Sequence, residues 1–104
     1  MIRGEVRWIE LDKRRPCVVI SSQGVLAVPV WQTHVVPLTS NLDRAGLAGN
    51  VLLKVDVTGL PHDSVAVPLG LELVDRDWLG ERTAQLAPPL LDAIDDGVRT
   101  ALGL

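Results

Sequence analysis

At 104 residues the chain has the length of one domain, taken as 1–104, and its 47% hydrophobic content supplies enough apolar side chains for a compact core. A net charge of −3 argues against a generally basic nucleic-acid binder, and a single cysteine excludes an internal disulfide. No apolar run approaches the roughly 18 residues of a membrane span, and charge appears within the first few residues, unlike a secretory leader. A cytoplasmic protein without membrane contact is expected.

Reading along the chain, Glu5 to Asp12 alternates polar and apolar residues, the pattern of a strand with one wet face. Lys13-Arg14-Arg15 then forms a short hairpin connection. Pro16 disfavours helical geometry at Arg15 and holds it extended. Cys17 to Ile20 is a continuous apolar run, suited to a buried central strand, and Gln23-Gly24 breaks it. Val25 to Trp31 is apolar but interrupted by Pro29, which predicts an edge strand or a short irregular piece. A strand is expected at His34–Leu38, a mobile connection at Asn41–Gly49, and another strand at Asn50–Val57 ending in the Thr58-Gly59-Leu60-Pro61 turn. Ser64–Val67 and Leu71–Val74 read as short strands, and Asp75–Leu79 as one helical turn. Pro88-Pro89 opens the only long helix, along which Leu90, Leu91, Ile94, Val98, Ala101 and Leu102 recur at helical spacing. Gly97 weakens that helix. Many short strands and one terminal helix predict an α+β fold, a small antiparallel barrel-like sheet packed by the helix.

Charge is unevenly spread. Residues 1–58 hold seven Lys/Arg against five Asp/Glu, whereas residues 59–104 hold three against eight. A cationic patch at Lys13, Arg14 and Arg15 on an otherwise acidic chain suits contact with a few phosphates rather than a long tract of backbone. The same residues also suit an ordinary solvated turn. If the Arg15-Pro16 strand and the strand ending in Thr39-Ser40-Asn41 lie side by side, fork-shaped cationic donors and small hydroxyls meet at one sheet edge, which is a phosphate site in outline. The competing reading of Thr39-Ser40-Asn41 is a strand-ending turn held by side-chain to backbone bonds.

Other chemistries are poorly supplied. Cys17, His34 and His62 do not fall at metal-ligand spacing, so no metal site is expected. Ala45-Gly46-Leu47-Ala48-Gly49 lacks the Lys and Ser/Thr of a phosphate-binding loop, and no cofactor is indicated. Cys17 within an apolar run reads as core, and Trp8 in an alternating strand reads as core more readily than as a base-stacking platform. A pair of histidines, His34 and His62, has the right acid–base chemistry for RNA cleavage, but nothing in their spacing brings them together.

The order Gly4-Glu5-Val6-Arg7-Trp8-Ile9-Glu10-Leu11-Asp12, Arg14-Arg15-Pro16-Cys17-Val18-Val19-Ile20-Ser21, Val35-Val36-Pro37-Leu38-Thr39-Ser40-Asn41 and Gly59-Leu60-Pro61-His62-Asp63-Ser64-Val65 resembles the MazF/PemK toxin family. The likeness runs over nearly the whole chain. It implies a CcdB/MazF-type SH3-like barrel with a C-terminal helix that dimerises, and a metal-independent endoribonuclease that cuts single-stranded RNA to leave 2′,3′-cyclic phosphate and 5′-hydroxyl ends. By position, Arg15 resembles the family's essential arginine and Thr39 its essential Thr/Ser. Lys13, Arg14, Ser40, Asn41, Asp63 and Ser64 are the substrate-binding candidates, and a cognate antitoxin protein is the implied partner. Two departures stand out. The longer loop that in many members carries a candidate general base, a Glu, is shortened so that Asp12 runs straight into Lys13-Arg14-Arg15, leaving Glu10 or Asp12 as substitutes; the segment after Asp63-Ser64-Val65 is also altered. A non-catalytic gyrase-poisoning toxin of the same architecture, or an inactive partner-binding member, remains the alternative.

Overall fold

The computed structural model describes residues 1–104. Strand β1 (Glu5–Ile9) pairs antiparallel with β2 (Arg15–Val19), in a register that sets Trp8 opposite Pro16 and Ile9 opposite Arg15. A single helical turn, α1 (Gln23–Leu26), is capped by the Ser22 hydroxyl accepting from Val25 N–H and leads into β3 (Gln32–Thr39). On one side β3 pairs with β2, with Cys17 opposite Pro37 and Val19 opposite Val35. Its other side is divided. The first half pairs with β6 (Glu72–Asp75), and the second half pairs with β5 (Ser64–Ala66), which is itself bonded to β4 (Val51–Leu53). Pro37 lies where partners change, so its missing N–H falls at a break in the ladder, while its carbonyl accepts from Val67 N–H at 3.0 Å.

The result is a curled antiparallel sheet in the order β4-β5-β3-β2-β1-β7, with β6 alongside β3. The helix α3 (Pro88–Leu102) packs on it, so the α+β class and the sheet-plus-terminal-helix architecture hold. Both faces of the sheet are covered. Val6, Val18, Val36, Leu38, Leu53, Ala66 and Ile94 form the core beneath α3, while Ile9, Cys17, Val19, Leu26, Val35 and Val74 form a second core on the opposite face. This explains the unbroken Cys17-Val18-Val19 run: alternate side chains enter different cores, so no position is left for a polar residue.

Several expectations change. The predicted strand over Asn50–Val57 stops at Leu53, because Val55–Thr58 coils into a turn, α2, whose Val55 N–H is held by the Asp63 carboxylate at 2.9 Å. Gly59, at φ 70°, closes that turn in the left-handed region. Of the two forms expected for Val25–Trp31 the irregular one holds: after α1 ends at Leu26 the backbone is irregular, and the Arg76 guanidinium gathers the carbonyls of Val25, Leu26, Val28 and Gln32. After a 3₁₀ turn at Arg76–Trp78, strand β7 (Leu79–Gln85) pairs with β1, with irregularities near Arg7. It was unmarked in the sequence, since LGERTAQ neither alternates cleanly nor forms an apolar run.

Gly97, read as a weak point of α3, is a close-approach position. A Cβ there would run into the Gly49 carbonyl oxygen and come within 2.6 Å of Pro68 Cγ, so only glycine lets the helix reach the 49 and 68 turns. No helix is long and apolar enough to cross a membrane.

Candidate active site

The last rungs of β2 and β3 open into a cleft of about 470 Å³. Its polar lining comes from Lys13 and Arg15 on one side, Thr39 and Ser40 on the second, and His62 and Ser64 on the third. Trp8, Pro16, Leu38, Leu60 and Pro61 supply the apolar floor and walls. Because Leu38 and Leu60 also belong to the core beneath α3, the floor is anchored in packed structure.

Arg15 begins β2, half-exposed, with Pro16 following and with Cys17 already wholly buried. Its guanidinium makes a two-pronged pair with Glu72 of β6, Nη2 to Oε1 at 2.7 Å and Nη1 to Oε2 at 3.4 Å. The fork geometry fixes the plane of the group and leaves its remaining N–H donors free for another anion. Thr39 ends β3, and its Oγ1 accepts from Asn41 N–H at 3.2 Å. The turn reading of Thr39 holds, and the backbone bond uses an acceptor lone pair and leaves the hydroxyl proton available. Ser64 is buried and donates to His62 O at 3.3 Å, which ties the cleft wall to β5.

Of the eight candidates, Lys13, Arg15, Thr39, Ser40 and Ser64 line this cleft. The other three do not. Arg14 turns back to Glu10, with Nε 2.9 Å from Oε1, and lies over Trp8 with its guanidinium carbon 4.3 Å from the ring centroid. Asn41 caps the 3₁₀ turn at Leu42–Gly46 by accepting from Asp43 N–H. Asp63 accepts from Val55 N–H and lies 3.6 Å from Lys54 Nζ, in an adjoining hollow with Ser40, Leu42 and His62. Each is taken up by local structure.

Three further residues matter here. Trp8, read as core, packs against the core only in part and presents itself to the cleft under Arg14. Its alternation was the right signal for a two-sided position, but did not say which face was open. Glu72, the partner of Arg15, is distant in sequence and carries no local mark. His62 was weighed only as half of a histidine pair; His34 is instead held at Ser21, its N–H donating to Oγ at 2.8 Å, and does not line the cleft. The substitute bases Glu10 and Asp12 do not line it either.

Cys17 is chemically silent. Burial pushes its thiol up to about 12, aided by the Glu72 carboxylate and opposed by Arg15 and Arg7. Glu5, buried at the start of β1, behaves oppositely. Burial raises it, but the Ile2 N–H, the bonded Arg7 and the nearby Arg82 outweigh burial and hold its carboxyl below the ordinary range.

A family model described as PemK-like, MazF-like toxin of type II toxin–antitoxin system matches residues 2–102. The chain is 31% identical over 110 residues to endoribonuclease MazF6 of Mycobacterium tuberculosis, covering 98% of this chain and 96% of that protein. The same figures apply to endoribonuclease MazF2 of Mycobacterium bovis. An endoribonuclease in complex with its cognate antitoxin, from a mycobacterial species, superposes with a TM-score of 0.85 at 22% identity over 100% of this chain and 96% of that one. The Mycobacterium tuberculosis toxin MazF-mt6 does so at 0.83 and 24%, over 96% and 97%. A match of this extent in sequence, with the same curled sheet and terminal helix, places the chain in the PemK/MazF family of toxins of type II toxin–antitoxin systems.

Proposed function

We propose that this toxin is an endoribonuclease that cuts single-stranded RNA at the Arg15–Thr39 cleft, without a metal ion, leaving a 2′,3′-cyclic phosphate and a 5′-hydroxyl. The endoribonuclease class follows from the family and from the two relatives that bear that name. The observation that carries the residue assignment is the convergence of Arg15, Lys13, Thr39 and Ser40 on one cleft with an apolar floor. Cleavage by the ribose 2′-OH requires alignment with the phosphorus and stabilisation of charge that grows on the phosphate oxygens. Arg15, pre-aimed by Glu72, supplies charged donors for that growing charge, and Thr39 supplies a hydroxyl donor to one oxygen. Trp8 and Pro61 bound the cleft as faces for the flanking sugar or base.

Around this core we place a homodimer, a cytoplasmic site of action, and inhibition by a cognate antitoxin of the kind found bound to the mycobacterial neighbour. Light scattering at micromolar concentration tests the dimer, with a monomer mass the contrary result. For the reaction, purified protein is incubated with a labelled single-stranded RNA in EDTA. Cleavage with cyclic-phosphate ends is expected; dependence on magnesium or 3′-hydroxyl ends contradicts the mechanism.

A further inference from the structure

The reaction needs a group that takes a proton from the 2′-OH, and neither Glu10 nor Asp12 lines the cleft. The cleft itself narrows the choice. Its ionisable lining residues are Lys13, Arg15 and His62, with no carboxylate among them. Lysine and arginine hold their protons at neutral pH, whereas an imidazole exchanges its proton there. The nearby carboxylates are otherwise engaged: Glu72 by Arg15, Glu10 by Arg14 and Asp63 by Val55 N–H. We infer that His62 is the general base of this toxin, acting on the ribose 2′-OH of an RNA bound at Arg15 and Thr39.

This inference rests on the proposed RNA-cleaving reading of the cleft. His62 stands on the exposed turn between α2 and β5, at the boundary of the cleft and the adjoining hollow. Its backbone is fixed from behind, since its carbonyl accepts from the buried Ser64 hydroxyl and the next residue caps α2. The charged groups around it are Lys13 and Arg15 across the cleft, and Asp63 in the hollow, itself paired with Lys54. In the step, the neutral imidazole takes the 2′-OH proton as O2′ bonds to phosphorus. The P–O5′ bond breaks, and the departing oxygen takes a proton from water. The imidazolium then returns its proton to solvent, so the products are the cyclic phosphate and the 5′-hydroxyl, with no change of oxidation state.

The test compares His62→Gln, His62→Gly and Arg15→Ala with wild type on one RNA, and measures affinity separately with a 2′-deoxy analogue at the cleavage position. His62→Gln should lose roughly a hundredfold or more in rate, the range of general-base catalysis, while binding the analogue within about threefold of wild type. The acidic limb of the wild-type pH–rate profile should vanish in that variant. Added imidazole should restore at least tenfold of the activity of His62→Gly and leave Arg15→Ala unaffected. A His62→Gln variant within threefold of wild type, with an unchanged pH profile, overturns the inference. So does loss of affinity alone without rescue by imidazole. If that happens while Arg15→Ala is inactive, only His62 is removed from the mechanism; if Arg15→Ala is also fully active, the cleft reading itself fails.

Discussion

The open end of the β2–β3 pair and its interior differ within two residues. Arg15 and Thr39 are half-exposed and face a cleft, whereas Cys17 has no exposed surface and Pro37, opposite it, lies in the middle of the sheet. Cys17 and Pro37 form the last paired rung of β2 and β3, and Arg15 and Thr39 stand on the strand ends beyond it. The paired rungs are clamped between two cores, which gives the strand ends beyond them a rigid base. A guanidinium and a thiol two residues apart on one strand therefore differ in character: Arg15 is aimed by Glu72 and left with free donors, while burial holds Cys17 as a neutral thiol.

The largest effect that tests this contrast is at Arg15. Arg15→Ala should lower cleavage about a hundred- to a thousandfold, as for loss of one charged transition-state donor, with little change in thermal midpoint, because the pair it breaks with Glu72 is partly exposed. A large drop in midpoint would mean that the strand end carrying Arg15 is structural after all. Thr39→Ala removes a neutral hydrogen bond and should cost about tenfold; urea titration at matched pH checks that the fold is intact. Arg14→Ala sharpens the comparison from the side. Its pairing with Glu10 is on the surface and it does not line the cleft, so a change in rate of no more than about threefold is expected. Equal losses at Arg14 and Arg15 would return the patch to a general electrostatic role.

On the interior side, Cys17 should resist iodoacetamide in the native protein at pH 8 and react once urea unfolds the chain, since the thiol's raised position keeps the thiolate scarce. Rapid native alkylation would show that the interior rungs open. The smallest effect concerns Glu5. Its carboxyl is held below the ordinary carboxylate range, so it contributes stability that is complete above that range and disappears as the pH falls through its lower folded position. The difference in urea midpoint between wild type and Glu5→Gln should accordingly be greatest near pH 7 and shrink below about pH 4; a difference independent of pH would assign Glu5 a packing role only.

Sequence alone marked the elements whose pattern is local. The apolar run at Cys17–Val19, the Pro-led amphipathic helix from Pro88, and the two strand ends carrying Arg15 and Thr39 are legible because burial and capping write directly into neighbouring residues. The order of four motifs was enough to indicate the family. Strand β7 was not legible, because its hydrogen bonds are made to β1 across more than seventy residues and its own side chains carry no clear period. The truncation of β4 depends on Asp63 reaching back to Val55 N–H, and the need for glycine at position 97 depends on Gly49 and Pro68 lying against it. Within the site, adjacency was decided in three dimensions: the fold chose Glu72 as the partner of Arg15, committed Arg14, Asn41 and Asp63 to ion pairs and caps, and turned His62 rather than His34 toward the cleft. Residue type states what chemistry a side chain can perform, but which groups share a cleft depends on how strands distant in sequence are brought edge to edge.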